Sequence, residues 1–316
     1  MPIYTPLRVF SGRSHPELTK GICSYLGIPL GQASIFKFSN DNTFVQFLEN
    51  IRGRDVFLVQ PFAYPVNDTI MELLIMIDAA KRASAGRITV VVPYYAYGRT
   101  DKKDQPRVPI TARLLADLLT IAGAHRVLTI DLHSEQIQGF FSIPVDELSA
   151  RPLLTRYIRE KGLDNLVVVA VDIGISKAAR DMAQRLGVPL AIIEKRRLGN
   201  LERTKTLSII GDVQGKVAVT LDDEIDTAES LMTAAEALLR AGVREIYACA
   251  THGVFSGPAI ERINASPIRE VVVTDTLPLA PNKRIPKITV LSVAPLLGEA
   301  IRRIHEGLSV GAMFAE

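Results

Sequence analysis

The chain has no tryptophan and only two cysteines, Cys23 and Cys249, among 316 residues. Two thiols so far apart offer no disulfide framework and no metal-ligand spacing; they fit packing residues in a reducing compartment. No apolar run reaches the ~18 residues of a membrane span, and low-complexity segments are missing. The opening Met-Pro-Ile-Tyr-Thr has neither a basic n-region nor an apolar h-region, which predicts a cytoplasmic protein without a secretory leader. An excess of one charge is missing too. The 37 basic and 34 acidic residues leave a net charge of +3, which argues against nucleic acid as the main partner.

What is present is apolar and regular. Hydrophobic residues make up 47% of the chain, enough for a large core. A mean hydropathy of +0.18 points to apolar surface buried between subunits. Apolar runs at 56–59, 88–93, 127–132, 166–171, 190–193, 217–221, 246–250, 270–274 and 288–292 read as strands. Helix-period segments at 68–84, 109–122, 177–186 and 231–240 fall between them. Such alternation predicts an α/β protein with mostly parallel sheets flanked by helices and right-handed crossovers.

Turn residues and a proline at 146–152 divide the chain into similar halves, residues 1–148 and 149–316. Each half contains a strand ending in acid, Leu128-Thr-Ile-Asp131 and Val219-Thr-Leu-Asp222, a pattern that suggests an ancient duplication. The basic residues cluster locally as Arg99, Lys102, Lys103 and Arg107, and as Lys195, Arg196, Arg197, Arg203 and Lys205. Such clusters read as solvated loop charge or as arms for a polyanionic small molecule.

The most informative stretch is 216–230. An apolar strand runs into Asp222 and Asp223, then Asp226, Thr227 and Ser230, then a helix. Ligands of open α/β sheets bind at the carboxyl ends of strands, and helix amino termini bind phosphates. Acids could hold sugar hydroxyls while the following turn holds a phosphate. Glu229 places a negative charge in that turn.

Asp-Asp-x-Ile-Asp-Thr-Ala after an apolar strand resembles the phosphoribosyl-pyrophosphate (PRPP) motif shared by type I phosphoribosyltransferases and PRPP synthetases. The segments 131–141 (Asp-Leu-His-Ser-Glu-Gln-Ile-Gln-Gly-Phe-Phe), 93–104, 195–197 and 250–258 resemble the PRPP synthetase family, the ribose-phosphate pyrophosphokinases. The resemblance runs from Phe38 nearly to the C-terminus. It implies two type I phosphoribosyltransferase-like domains, with ATP-site loops in 1–148 and the ribose 5-phosphate site in 149–316. It also implies transfer of the pyrophosphoryl group of Mg-ATP to the 1-hydroxyl of ribose 5-phosphate, with Mg²⁺ required, giving PRPP and AMP for nucleotide biosynthesis. A phosphoribosyltransferase, which consumes PRPP, shares the acidic motif but needs neither the histidine signature nor the Lys-Arg-Arg loop.

Residue by residue, the resemblance assigns Lys195 and Arg197 to catalysis, stabilising charge in the transition state. Phe38, Asn40, Arg99 and Asp101 become the ATP contacts, with Phe38 stacking on adenine. Asp222, Asp223, Asp226, Thr227, Ala228 and Ser230 become the ribose 5-phosphate site, and Asp131, His133 and Asp172 the metal site. Arg52, Arg107 and Ser309 match a regulatory phosphate or ADP site. The resemblance implies a homo-oligomer, a hexamer built from dimers.

The chain departs from the family pattern in several places. A usual glycine is Glu229; a second glycine after Asp172 is Ile175; a glutamine is Thr100; an adenine-loop glutamate is Asn42; a regulatory serine is Gly311. The first two motivate an alternative: a catalytically impaired regulatory subunit that assembles with an active second synthetase subunit. The retained Lys195-Arg196-Arg197 favours the enzyme.

Overall fold

The computed structural model describes residues 6–197 and 205–314, with the side chains of 195–197, 205–207 and 314 outside that description. The chain forms two compact units, one of residues 1–149, 276–278 and 292–316, the other of 150–275 and 279–291.

The first unit contains β1 (Leu7–Ser11), α1 (Pro16–Leu26), β2 (Ala33–Lys37), β3 (Thr43–Phe47), β4 (Asp55–Val59), α2 (Val66–Arg82), β5 (Arg87–Val92), α3 (Thr111–Ala122), β6 (Arg126–Ile130) and β7 (Val145–Leu148). Five of these strands form a sheet in the order β1-β4-β5-β6-β7, every neighbouring pair parallel. A parallel strand covered on both faces must be apolar at every position, and β4 is buried along its whole length. Val56, Leu58, Val90 and Val92 of the sheet pack with Leu73 and Ile77 of α2 and Leu115 of α3. β2 and β3 stand apart as an antiparallel hairpin.

The second unit contains α4 (Arg151–Glu160), β8 (Leu166–Ala170), α5 (Ser176–Leu186), β9 (Leu190–Arg197), β10 (Lys205–Ile210), β11 (Val217–Ile225), α6 (Glu229–Arg240), β12 (Glu245–Gly253), α7 (Ala259–Ala265), β13 (Glu270–Thr274) and β14 (Ile288–Leu291). Its seven-stranded sheet has the order β10-β9-β8-β11-β12-β13-β14 and is parallel except for β10 against β9. Apolar clusters line both faces: Val167, Val169, Ala218 and Leu238 in one, Val168, Ala170, Val219 and Met182 in the other.

The C-terminal helix α8 (Ala294–Glu306) corrects the two-way division predicted at 148/149. Residues 292–314 pack in the first unit, not the second. α8 lies on α1, where a Cβ on Gly298 would come within 2.5 Å of the Tyr25 ring and one on Gly21 within 2.9 Å of Ala294 Cβ. The two glycines thus permit a helix approach that larger residues would block. Among the described residues no helix is long and apolar enough to cross a membrane.

Candidate active site

In the second unit the acids stand on a strand that outlasts one of its neighbours. β11 pairs with β8 as far as Leu221 opposite Ala170, while its pairing with β12 continues through Asp222–Ala250 and Glu224–His252 to Ile225–Gly253. The strand predicted to end at 221 therefore runs to 225, and Asp222 and Asp223 sit on its overhang instead of in a loop. Asp172 lies just past Val171, beyond the end of the neighbouring strand β8.

Burial pushes the Asp222 carboxyl well above the usual carboxylate range. A hydrogen bond with Asp223 and its like charge push in the same direction, and the Asp172 charge adds to them. The Asp223 N–H donates to Asp222 Oδ1 at 2.9 Å. Asp223 and Asp172 thus both act on the Asp222 carboxyl at the carboxyl edge of the sheet. Such a set suits partners that offer hydroxyl donors.

Asp172 closes its own turn. Its Oδ1 accepts from the Ile175 N–H at 3.1 Å, just ahead of α5. Ile175 has φ −86° and packs against both apolar clusters of the unit, so the backbone there has no need of a second glycine.

The turn 226–230 leads into α6. Ala228 is the left-handed residue, with φ 60°, and Glu229 is the first residue of the helix. Glycine's tolerance of positive φ is therefore needed one position before Glu229. Glu229 and Ser230 are both exposed, and an acid in the first helical turn complements the helix dipole. Asp226 accepts from the Ser256 hydroxyl, and the Thr227 carbonyl accepts from Arg262 Nη1 at 2.8 Å. No side chain caps α6, and the N–H groups of Thr227 and Ala228 have no protein partner among the described residues.

In the first unit, Asp131 follows β6 with φ 38°, is buried, and accepts from the Ser149 hydroxyl at 2.8 Å. His133 is exposed two residues later. Two distant signatures meet here: a Cβ on Gly98 would lie 3.2 Å from His133 Cβ, so the loop carrying Arg99 and Asp101 leans onto the 131–141 segment. Arg99 is exposed and Asp101 half-buried. Thr100 acts as a turn residue, with its N–H and hydroxyl both donating to the Tyr97 carbonyl, at 2.9 and 2.7 Å.

Phe38 opens the turn between β2 and β3. It is 50% exposed and packs edge-on against Phe36 and Phe44, at ring-centroid distances of 5.1 and 5.8 Å. One face of an aromatic cluster is thereby left for a planar partner. Asn40 Oδ1 accepts from the Asn42 N–H at 3.2 Å, so Asn42 serves the same turn.

The structure does not join the regulatory candidates. Arg52 donates to Ser84 Oγ at 3.2 Å, the Ser309 carbonyl accepts from Arg303, and Arg107 is exposed in a left-handed conformation. Among the described residues no hydrogen bond or ion pair connects the three. Lys195 and Arg197 close β9, paired to β10, but their side chains lie outside the described set. Sequence reasoning missed Ser256 and Arg262. The only signal was that Ser256 lies inside the 250–258 signature, whose residues carried no assigned role.

Two family models match the chain. One is the N-terminal domain of ribose phosphate pyrophosphokinase, over residues 7–123; the other is the phosphoribosyl synthetase-associated domain, over residues 200–315. The chain is 53% identical over 312 residues to the ribose-phosphate pyrophosphokinase of Clostridium acetobutylicum, covering 98% of each. It is 55% identical over 309 residues to that of Caldanaerobacter subterraneus subsp. tengcongensis, again covering 98% of each.

The chain belongs to the ribose-phosphate pyrophosphokinase family.

A solved relative agrees. The phosphoribosylpyrophosphate synthetase of Mycobacterium smegmatis superposes with a TM-score of 0.91 at 45% identity, covering 96% of this chain and 100% of that one. A ribose-phosphate pyrophosphokinase is expected to work with Mg²⁺, and the donors present suit that ion. Asp131 and Asp172 offer carboxylate oxygens at strand ends, the hard donors that Mg²⁺ prefers. Among the described residues no three histidine, cysteine or acidic side chains form a metal-holding group. One carboxylate completed by substrate phosphates and water is a usual Mg²⁺ arrangement, and Asp131 in the first unit and Asp172 in the second each fit it taken singly.

Proposed function

We propose that the chain transfers the pyrophosphoryl group of Mg-ATP to the 1-hydroxyl of ribose 5-phosphate, forming PRPP and AMP. The observation that carries the site assignment is the overhang of β11. It sets Asp222 and Asp223 beside Asp172 and directly ahead of an uncapped turn. Carboxylates accept hydrogen bonds from the ribose 2- and 3-hydroxyls, and the turn amides with the amino end of α6 take the 5-phosphate. One substrate thereby spans acid pair and turn, which fixes the direction of its 1-hydroxyl.

ATP binds the first unit, with adenine against Phe38 and Asn40, and phosphates at Arg99 with Asp101 nearby. Mg²⁺ would neutralise charge on the triphosphate as the β-phosphorus is attacked, with Asp131 and His133, directly or through water, as its ligands in the first unit and Asp172 as a ligand in the second. Lys195 and Arg197 stabilise the same charge from the protein side: lysine as a compact cation, arginine as a planar fork. Holding both substrates in line supplies much of the remaining rate.

The alternative of a non-catalytic subunit loses its two motives. Glu229 is exposed on the first turn of α6, and Ile175 occupies ordinary backbone. The chain acts in the cytoplasm as a homo-oligomer, a hexamer built from dimers. Exposed apolar side chains on the first unit support that assembly, among them Tyr64, Met71, Leu114 and Ile121. Arg52, Arg107 and Ser309 are offered as a phosphate- or ADP-responsive site.

The deciding experiment measures AMP and PRPP formed from ATP, with and without ribose 5-phosphate and Mg²⁺. Formation that requires both is expected. No PRPP across a broad range of the two substrates would overturn the proposal.

A further inference from the structure

Three successive backbone carbonyls at the end of β11 point the same way. The Ile225 carbonyl accepts from the Phe255 N–H at 3.0 Å, that of Asp226 from the Ser256 N–H at 3.0 Å, and that of Thr227 from Arg262 Nη1 at 2.8 Å. The peptide bonds between these residues are trans, since the one cis bond among the described residues is Tyr64–Pro65. In a trans peptide the N–H lies opposite the C=O. Tying the carbonyls of 225, 226 and 227 to the 255–262 segment therefore turns the N–H groups of 226, 227 and 228 away from it. The last two have no protein partner, and they run on into the uncapped first turn of α6.

The first two of these carbonyl bonds come from backbone N–H groups and form with any non-proline side chain. The third depends on one side chain. Arg262, half-buried on α7, is the residue that sets the plane of the Thr227–Ala228 peptide. That peptide joins an ordinary residue to a left-handed one, a conformation that alanine does not hold unaided. Ser256 adds a second lock by donating its hydroxyl to the Asp226 carboxylate.

We propose that Arg262 is a positioning residue for ribose 5-phosphate. It pins the Thr227 carbonyl so that the amides of the 226–230 turn stay aimed at the 5-phosphate. The inference rests on the reading of that turn as the phosphate cradle. Arg262 acts through the backbone, and its guanidinium adds positive charge behind the turn. Ser256 orients Asp226 in the same way.

The test is calorimetric titration of the full-length protein with ribose 5-phosphate alone, beside steady-state kinetics in both substrates. Arg262→Met should weaken ribose 5-phosphate binding and raise its KM by roughly tenfold, the loss expected for a hydrogen bond from a charged donor, with the KM for ATP unchanged. Arg262→Lys, which keeps one N–H donor and the charge, should recover most of the affinity. Ser256→Ala should show a smaller loss confined to the same substrate. A merely structural arginine would lower the midpoint of thermal unfolding or disturb both KM values alike. If the wild-type protein binds ribose 5-phosphate and Arg262→Met binds it equally well, the positioning role is wrong while the cradle stands. If the wild-type protein does not bind ribose 5-phosphate, the cradle reading fails and the role of Arg262 falls with it. If Arg262→Met is too unstable to titrate, Arg262→Lys and Ser256→Ala decide: wild-type affinity in Ser256→Ala together with a loss in both substrates for Arg262→Lys would overturn the proposal.

Discussion

Asp55 and His305 stand 250 positions apart, and they meet with His305 Nδ1 2.8 Å from Asp55 Oδ2. Asp55 opens β4 and is fully buried; Arg87, at the start of β5, holds the same carboxylate and also donates to the Ile304 carbonyl at 3.0 Å. One buried acid therefore fastens the last helix to the first sheet. Arg87→Met should destabilise the protein by about 3 kcal/mol, the low end for breaking a buried pair, because His305 still faces the carboxylate. Urea unfolding measures it. A loss below about 1 kcal/mol would class the contact with surface pairs.

Glu229→Gly isolates the departure from the family pattern that looked most damaging. Glu229 is exposed at the first position of α6, and the left-handed backbone belongs to Ala228. The substitution should change the KM for ribose 5-phosphate by no more than about threefold, the scale of an exposed charge near a helix end. A gain of two orders of magnitude would mean that the acid reaches the phosphate.

Lys195→Ala should lower turnover by roughly 10²–10³-fold, as for loss of a group that stabilises transition-state charge, while ATP binding stays near wild type. Single-turnover kinetics and nucleotide titration separate the two. An unchanged rate would remove Lys195 from the chemistry.

Glu299, on α8, accepts from Arg302, Arg303 and Tyr25. These bonds, led by that from Arg302, lower its pKa from 4.5 to about 2. The folded state binds the proton less readily than the unfolded chain. The stabilisation is thus fully present above pH 4.5 and is lost as pH falls toward 2. Glu299 is half-buried but the side chain of its partner Arg302 is more exposed, so the effect is modest and salt-sensitive. The difference in unfolding free energy between wild type and Glu299→Gln should shrink on acidification across that window. A constant difference would show that the arginines do not act on its titration.

Burial pushes the Cys23 thiol up to about 11 and the Cys249 thiol higher still. Both thiols should resist a disulfide-exchange reagent at pH 8 in the folded protein and react promptly in denaturant. Rapid reaction of either in the native state would contradict the burial.

The central parallel strands were legible because full burial leaves nothing but apolar residues, as in Val56–Val59 and Val167–Val171, whereas the part-exposed edge strands β1 and β7 went unread. The β2–β3 hairpin was not, since its strands are half-exposed and carry no clean alternation. Nor was the return of α8 to the first unit. Amphipathic spacing marks a helix but not its partner, and the partner here is set by small residues at Gly21 and Gly298. Around the site, Asp222 and Asp223 announced themselves by charge after an apolar run. Arg262 did not, because its partner is a backbone carbonyl, which every residue has and no sequence reveals.

The overhang of β11 has a further consequence for how this region can change. An ordinary surface loop absorbs insertions and deletions, but residues 222–225 are held in register against β12. Their side chains alternate between faces with a period of two. Removing or adding one residue there would turn every side chain to the opposite face, so Asp222 and Asp223 would exchange faces, as would Glu224 and Ile225. Substitution is open to this segment and a change of length is not, so its four residues behave as a ruler as well as a binding surface.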